Sequence, residues 1–383
     1  MTAAPLPPMS VVVVDDSPVQ RRFLRSAVEA EHDFTVVGEA HNGKEAVALV
    51  ARLRPAAVVM DLDLPIMSGL EAIERIMAVS PTPILVYSAF VCGADSDNSL
   101  AALAAGAVDV LAKPGPDDTG SLDSYADAVR RRLRVAARVR VINHPRGRLR
   151  TQGQTSAVQT LAGVGSRRPL GAPGTQESVH RSEPIESLDP RAGVRLIAIG
   201  ASTGGPQALL TVLSALPADL AQAVLVVQHM AEGFIAGLAS WLDQLVPLPV
   251  AVGESGKRLG PGTITIAPSG ANLLVRDERL GVLCVPPEPG QFHVPGIDQT
   301  FCSVADALGP GAIGVLLTGM GRDGAAGLLA MRGRGAMTLG QDEATSAVYG
   351  MPAAAAALHA VERQLPIEAV AGSLLTLVGR GDR

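Results

Sequence analysis

Residues 194–207 read VRLIAIGASTGGPQ, and the fold turns on how they are taken. A short apolar run, Leu196 to Ile199, drives into a glycine-rich turn that ends at Pro206. The run reads as a buried parallel strand, and Pro206 suits the first turn of a helix. Strand, tight turn and helix form the context in which Gly200-Ala201-Ser202-Thr203-Gly204 works as a nucleophile elbow. The glycines leave room for a sharp bend, so the Ser202 hydroxyl can stand above the sheet. The helix that follows would turn free N–H groups and its positive dipole end toward the same place. By itself the stretch is equally a glycine turn or a phosphate cradle, although it lacks the Gly-Lys-Ser/Thr ending of a P-loop.

Two more strand ends bear on Ser202. Ala223 to Val227 is a buried run ending at Gln228-His229-Met230, and Ala312 to Leu317 is another ending at Thr318-Gly319-Met320-Gly321-Arg322-Asp323-Gly324. Parallel strands converge on one sheet edge. A serine needs a base at neutral pH, and the base needs a carboxylate to fix its tautomer, so Ser202, His229 and Asp323 form a candidate catalytic set. Their order differs from the Ser, Asp, His order of α/β-hydrolases. Met320 has a backbone N–H in position to face an oxyanion. His293 and His359 lack a strand-end glycine turn and rank below His229. Asp298 is the rival carboxylate, with a plainer reading as a charge near the start of a helix from Thr300 to Leu308. No two histidines have zinc-ligand spacing. The expected pattern ends with an alanine-rich final helix at Pro352, and Phe234 to Leu245 reads as a helix burying Phe234, Leu238, Trp241, Leu242 and Leu245.

The first 115 residues repeat the strand–helix alternation. Strands at Val11–Val14, Thr35–Val37, Ala57–Met60, Pro83–Tyr87 and Val108–Leu111 end near Asp15-Asp16, Asp61, Ser88 and Lys113. Alternation of this kind predicts a doubly wound parallel sheet with its ligands at the carboxyl ends. Three carboxylates in one crevice repel one another unless a hard cation joins them, and Mg²⁺ suits oxygen ligands. Asp15, Asp16 and Asp61 are therefore candidate metal ligands, with Lys113 offsetting the excess charge.

Between these halves the chain changes character. Leu122 to Arg140 reads as a helix that becomes arginine-rich, its arginines taken as a solvated face rather than a nucleic-acid contact. About 143–192 is Gly-, Ser-, Pro- and Arg-rich without periodicity, a flexible linker. The expected boundaries are 9–128 for the first domain, 129–192 for the linker and 193–380 for the second domain. Composition agrees with this division. The 383 residues are 47% apolar but only 3% aromatic, with a net charge of −5. That excludes aromatic stacking on single strands and a general attraction to nucleic acid or anionic membrane. Three unpatterned cysteines support neither disulfides nor a zinc knuckle. No signal peptide or membrane span is legible, so a cytoplasmic protein without membrane insertion is expected.

The motifs carry two resemblances. Asp61-Leu62-Asp63-Leu64-Pro65 with Gly69, the Asp15-Asp16 pair, Ser88-Ala89 and Lys113-Pro114 resemble a response-regulator receiver domain. This implies a flavodoxin-like fold, phosphorylation of Asp61 by a partner histidine kinase, a Mg²⁺ requirement for that step, and Ser88 and Lys113 as switch residues. The elbow, Gln228-His229-Met230, Pro295-x-x-Asp298-x-x-Phe301, the Thr318–Gly324 turn and Tyr349-Gly350-Met351-Pro352 resemble the chemotaxis protein-glutamate methylesterase family. That resemblance implies a Rossmann-like α/β domain that hydrolyses glutamate γ-methyl esters on chemoreceptor cytoplasmic helices and deamidates receptor glutamines, without a cofactor. Ser202 would be the nucleophile, His229 the base and Asp323 its orienter, with Thr203 and Met320 bordering the oxyanion site. The chain departs from the family at Ser68, where Asp is frequent, and at Ala231, Ile235 and Asn272, where Pro, Thr or Ser, and His are usual. The last three are read as flanking the groove and bearing on substrate preference. The competing readings are a hydrolase for some other ester and a non-enzymatic partner-binding domain.

Overall fold

In the first half, five parallel strands stand in the order β2-β1-β3-β4-β5. They are β1 (Met9–Val14), β2 (Phe34–Ala40), β3 (Ala57–Met60), β4 (Ile84–Ala89) and β5 (Asp109–Lys113). This is a computed structural model, and it describes residues 7–89, 98–99, 101–103, 105–114, 121–139, 193–230 and 233–379. The linker at 143–192 and Ala231 lie outside the described residues. Val11 to Val14 are fully buried because helices cover both sheet faces, which is why the run is continuous rather than alternating. Val11 and Val13 pack with Leu24 and Val28 of α1 (Pro18–Glu29) and with Val129 and Leu133 of α4 (Leu122–Ala136). Val12 and Val14 pack toward Val50 of α2 (Gly43–Leu53) and Ile73 of α3 (Gly69–Val79). The side chains of Ser17, Asn42, Ser68 and Ser121 cap these four helices. Ser68, a departure from the family pattern, thus serves the start of α3, accepting the Glu71 N–H at 3.2 Å.

Helix α4 runs past the expected boundary at 128, to Ala136. Arg131 is exposed, as a solvated face requires, but Arg130, Arg132 and Arg134 are not simply solvated. Arg130 is buried and donates to the Ala27 carbonyl at 3.0 Å. Arg132 pairs with Asp109 at 2.6 Å, and Arg134 with both Asp33 and Glu31 at 2.5 Å. These three fix α4 to α1, to the loop before β2 and to β5.

The second half is a seven-stranded sheet in the order β14-β13-β12-β6-β7-β9-β8, parallel throughout. Its strands are β6 (Leu196–Ala201), β7 (Ala223–Gln228), β8 (Val250–Val252), β9 (Ile264–Ile266), β12 (Ala312–Leu316), β13 (Met337–Gln341) and β14 (Arg363–Leu365). A hairpin of β10 (Asn272–Val275) and β11 (Val282–Val285) stands apart. The helices are α5 (Gly205–Ser214), α6 (Phe234–Asp243), α7 (Ile297–Leu308), α8 (Ala325–Gly333), α9 (Met351–Ala357) and α10 (Ile367–Leu377). The alanine-rich helix is therefore not the last element, because β14 and α10 follow it. Helix α6 ends at Asp243, leaving Leu245 in the turn beyond it and 40% exposed rather than buried. No helix among the described residues is long and apolar enough to cross a membrane.

Candidate active site

Strands β12, β6 and β7 are neighbours at the centre of the second sheet. Ser202 follows β6, His229 follows β7, and Asp323 lies in the loop between β12 and α8. The sequence pattern thus places all three at one edge. Ser202, Thr203, His229 and Met320 line a single cleft of about 410 Å³. His229 Nε2 lies 2.8 Å from Asp323 Oδ2. His229 Nδ1 is buried and makes no hydrogen bond among the described residues.

Each side chain has its own support. Gly204 takes a left-handed φ of 76° as the N-cap of α5, a conformation glycine adopts without strain. The Gly205 N–H returns to the Ser202 carbonyl at 2.7 Å, tightening the elbow. Gln228, buried at the end of β7, donates its Nε2 to the carbonyls of both Ser202 (2.9 Å) and His229 (2.8 Å). One amide therefore ties the serine turn to the histidine turn. The Thr318–Gly324 loop is pinned by the Tyr349–Pro352 segment: the Gly319 carbonyl accepts the Met351 N–H at 2.8 Å. Thr318 Oγ1 donates to the Thr203 carbonyl at 3.0 Å.

Asp323 is held at the start of α7, where its Oδ2 accepts the Ile297 N–H (2.8 Å) and its Oδ1 the Asp298 N–H (3.0 Å). Burial pushes its pKa up, but the hydrogen bond and charge of His229, with those two N–H groups, outweigh burial and bring it down to about 2. An ionised carboxylate at 2.8 Å requires the proton on Nε2, which leaves Nδ1 as the acceptor nitrogen. Asp298 sits in the first turn of α7, as its plainer reading expected, but its Oδ1 accepts the Gly327 N–H of α8 at 2.6 Å. Burial raises its pKa, only partly opposed by that bond, and the charge of Asp323 raises it further.

His293 has no strand-end glycine turn before it, and it nevertheless reaches the site. Its ring is stacked on that of His229, centroids 4.5 Å apart and planes within 7°. His359 lies after α9 and is not among the cleft residues. Of the family departures, Ile235 is buried in the core on α6 and does not flank a groove. Asn272 is buried and bonds the loop that carries His293.

In the first domain, ligand oxygens of Asp15, Asp16 and Asp61 lie within 4.8 Å of one another. Lys113 Nζ bridges Asp61 (2.6 Å) and Asp15 (2.8 Å). Burial raises the Asp61 pKa; Lys113 opposes this and Asp15 adds to it. Ser88 is buried at the neighbouring end of β4. Hard oxygen donors clustered this way fit a divalent cation, and a buried carboxylate paired to a lysine fits a phosphoryl acceptor.

An acceptor-aspartate domain joined to an α/β domain with a serine elbow defines a response regulator with a hydrolase-type output. Residues 11–121 match the response regulator receiver domain and 197–374 the CheB methylesterase domain. Protein-glutamate methylesterase/protein-glutamine glutaminase 3 of Paramagnetospirillum magneticum is 40% identical over 371 residues, 97% of this chain and 96% of that one. Protein-glutamate methylesterase/protein-glutamine glutaminase 4 of Myxococcus xanthus is 42% identical over 346 residues, 90% of each chain. A solved structure, the Thermotoga maritima CheB methylesterase catalytic domain, is 30% identical and covers 48% of this chain and 97% of its own, with a TM-score of 0.46. The chain belongs to the CheB protein-glutamate methylesterase/protein-glutamine glutaminase family.

Proposed function

We propose that this chain is a phosphorylation-regulated carboxylic ester hydrolase that removes methyl groups from glutamate γ-methyl esters on chemoreceptor cytoplasmic helices, releasing methanol. It hydrolyses receptor glutamine amides by the same route. The observation that carries this reading is the placement of Ser202, His229 and Asp323 after three adjacent strands, with Ser202 and His229 lining one cleft and the 2.8 Å His–Asp contact behind them.

Ser202 Oγ attacks the ester carbonyl as His229 Nδ1 takes its proton, and Asp323 balances the imidazolium. The oxyanion forms beside Thr203 and Met320 at the start of α5, where backbone N–H groups and the helix dipole favour negative charge. His229 returns the proton to the departing methoxide. Water then attacks the acyl-enzyme with His229 as base, freeing the glutamate carboxylate and restoring Ser202. The decisive assay is methanol release from a methylated receptor fragment. Wild type releases methanol and Ser202→Ala does not; equal release by both would remove Ser202 from the mechanism, and none from wild type would point to a different ester.

Regulation enters through the same cleft, since Asp109, Arg131, Arg132 and Val135 of the receiver also line it. The unphosphorylated receiver thereby restricts the approach to Ser202. Asp15, Asp16 and Asp61 would hold Mg²⁺, which supplies charge neutralisation for phosphoryl transfer from a chemotaxis histidine kinase to Asp61. Lys113 then turns toward the phosphoryl group. It closes β5, and Asp109, which pairs with Arg132 of α4, opens the same strand. Asp61 and the cleft are thus linked through one strand, and phosphorylation shifts the population toward an open cleft. Asp61→Asn is expected to keep basal methanol release and lose its stimulation by kinase or a small phosphodonor; full stimulation would refute this route.

A further inference from the structure

The residue left over from the site is His293, and the structure around it is built rather than incidental. Asn272, 1% exposed at the start of β10, accepts the Gly296 N–H at 2.7 Å and the Gln291 Nε2–H at 2.9 Å through its Oδ1. Its Nδ2 donates back to Gln291 Oε1 at 2.9 Å. Gln291 Nε2 also donates to the His293 carbonyl at 2.6 Å. Two amides thus clamp both ends of the 291–296 loop. A buried amide is costly unless it is bonded, and that of Asn272 is spent on fixing the loop that sets the His293 ring parallel to that of His229.

We propose that His293 is a positioning residue for this hydrolase: stacked on His229 in its uncharged form, it orients that ring and favours its protonated form in the transition state. The inference rests on the function proposed above. An uncharged aromatic face within about 6 Å attracts a cation, and the stack shields one face of His229 from water. A protonated His293 acts oppositely, setting a second positive charge against the ring that must accept a proton. The charged groups acting on His293 are His229 after β7 and Asp323 before α8, while Asp109, Arg131 and Arg132 of the receiver line the same cleft. His293 is partly open to solvent, and the desolvation of its stacked side pushes its pKa below the usual histidine value; the charge of His229 pushes the same way, against a partial pull from Asp323. Both effects favour the uncharged ring in the stack, and protonation in acid is the inhibitory event of this proposal.

The test uses the full chain, with kcat and KM for methanol release from a methylated receptor fragment measured from pH 5 to 9. The rate at which a fluorophosphonate labels Ser202 gives a second readout. His293→Ala is expected to lower kcat about five- to tenfold with KM little changed. His293→Phe keeps an uncharged ring and recovers most of that loss, and its acidic limb moves to lower pH because one inhibitory protonation is gone. His293→Lys lowers kcat at every pH. The inference is overturned if His293→Phe follows the wild-type pH profile in both readouts, or if His293→Lys matches wild type. Should the alanine variant fail to fold, the phenylalanine profile decides. Ser202-dependent release with unaltered His293 profiles would defeat this inference alone, whereas absence of Ser202-dependent release in wild type would defeat the functional reading beneath it.

Discussion

Asp323 and Asp298 show how neighbouring carboxylates on the same two helix starts are driven apart. Asp323 accepts the first N–H groups of α7 and the His229 ring, and its pKa falls to about 2. Asp298 is shifted upward by burial and by Asp323 itself. A carboxylate whose pKa is depressed on folding adds stability above its ordinary value near 3.8, and that stability is lost as pH falls through about 2. Here it amounts to on the order of 2 kcal/mol. Urea unfolding at pH 5, 4 and 3 should show the advantage of wild type over Asp323→Asn narrowing toward pH 3; a constant gap would contradict this linkage. For catalysis, Asp323→Asn removes the acceptor that fixes the His229 tautomer and should cost on the order of 10³- to 10⁴-fold in kcat. Asp298→Asn should cost less than about tenfold, because an amide oxygen still accepts the Gly327 N–H. The serine, the histidine and this carboxylate were legible in the sequence because each directly follows a continuous apolar strand or its glycine turn. His293 was not, because its loop has neither strand nor periodicity before it. The available signal was its place just ahead of Asp298 at the start of a helix.

At the scale of elements, packing fixes which turns tolerate a side chain. A Cβ on Gly205 would lie 2.0 Å from Gln228 Oε1, and one on Gly319 would lie 2.7 Å from the Ser202 Cβ and 2.3 Å from Met351 Sδ. Gly319→Ala should therefore displace Ser202 and lower kcat by tenfold or more, roughly what a misplacement near 1 Å costs, with a smaller change in KM. Unchanged turnover in a folded Gly319→Ala protein would show that the loop yields instead. In the receiver, a Cβ on Gly69 would meet the Asp61 carbonyl at 2.1 Å, a backbone atom that cannot swing away. The central strands were readable because burial on both faces demands unbroken apolar runs. Strands β8, β13 and β14 escaped that reading: they are short, or carry Thr, Gly, Gln and Arg in place of an apolar run.

For the whole molecule, the receiver's share of the cleft is the feature with the largest functional reach. Arg132→Ala breaks the 2.6 Å pair with Asp109 and should raise basal methanol release severalfold while blunting stimulation by phosphodonor. Unaltered basal release would detach this pair from regulation. The two-domain division was visible in composition, since the linker lacks any apolar period. The internal use of the α4 arginines was not, because sequence spacing shows a charged face without showing the acids that Glu31, Asp33 and Asp109 bring to it from other elements.

The order of the second sheet also governs when the protein acquires its activity during synthesis. Ser202 and His229 leave the ribosome before Asp323, which follows β12, the strand that pairs between β6 and β13. Until β12 arrives, the β6 strand behind the serine has an open edge and the histidine has no carboxylate. Helix α10, made later still, packs on α5 behind the elbow. A chain that stops short of Asp323 lacks the carboxylate that holds His229 Nε2, so the order of synthesis places the completion of the site after β12.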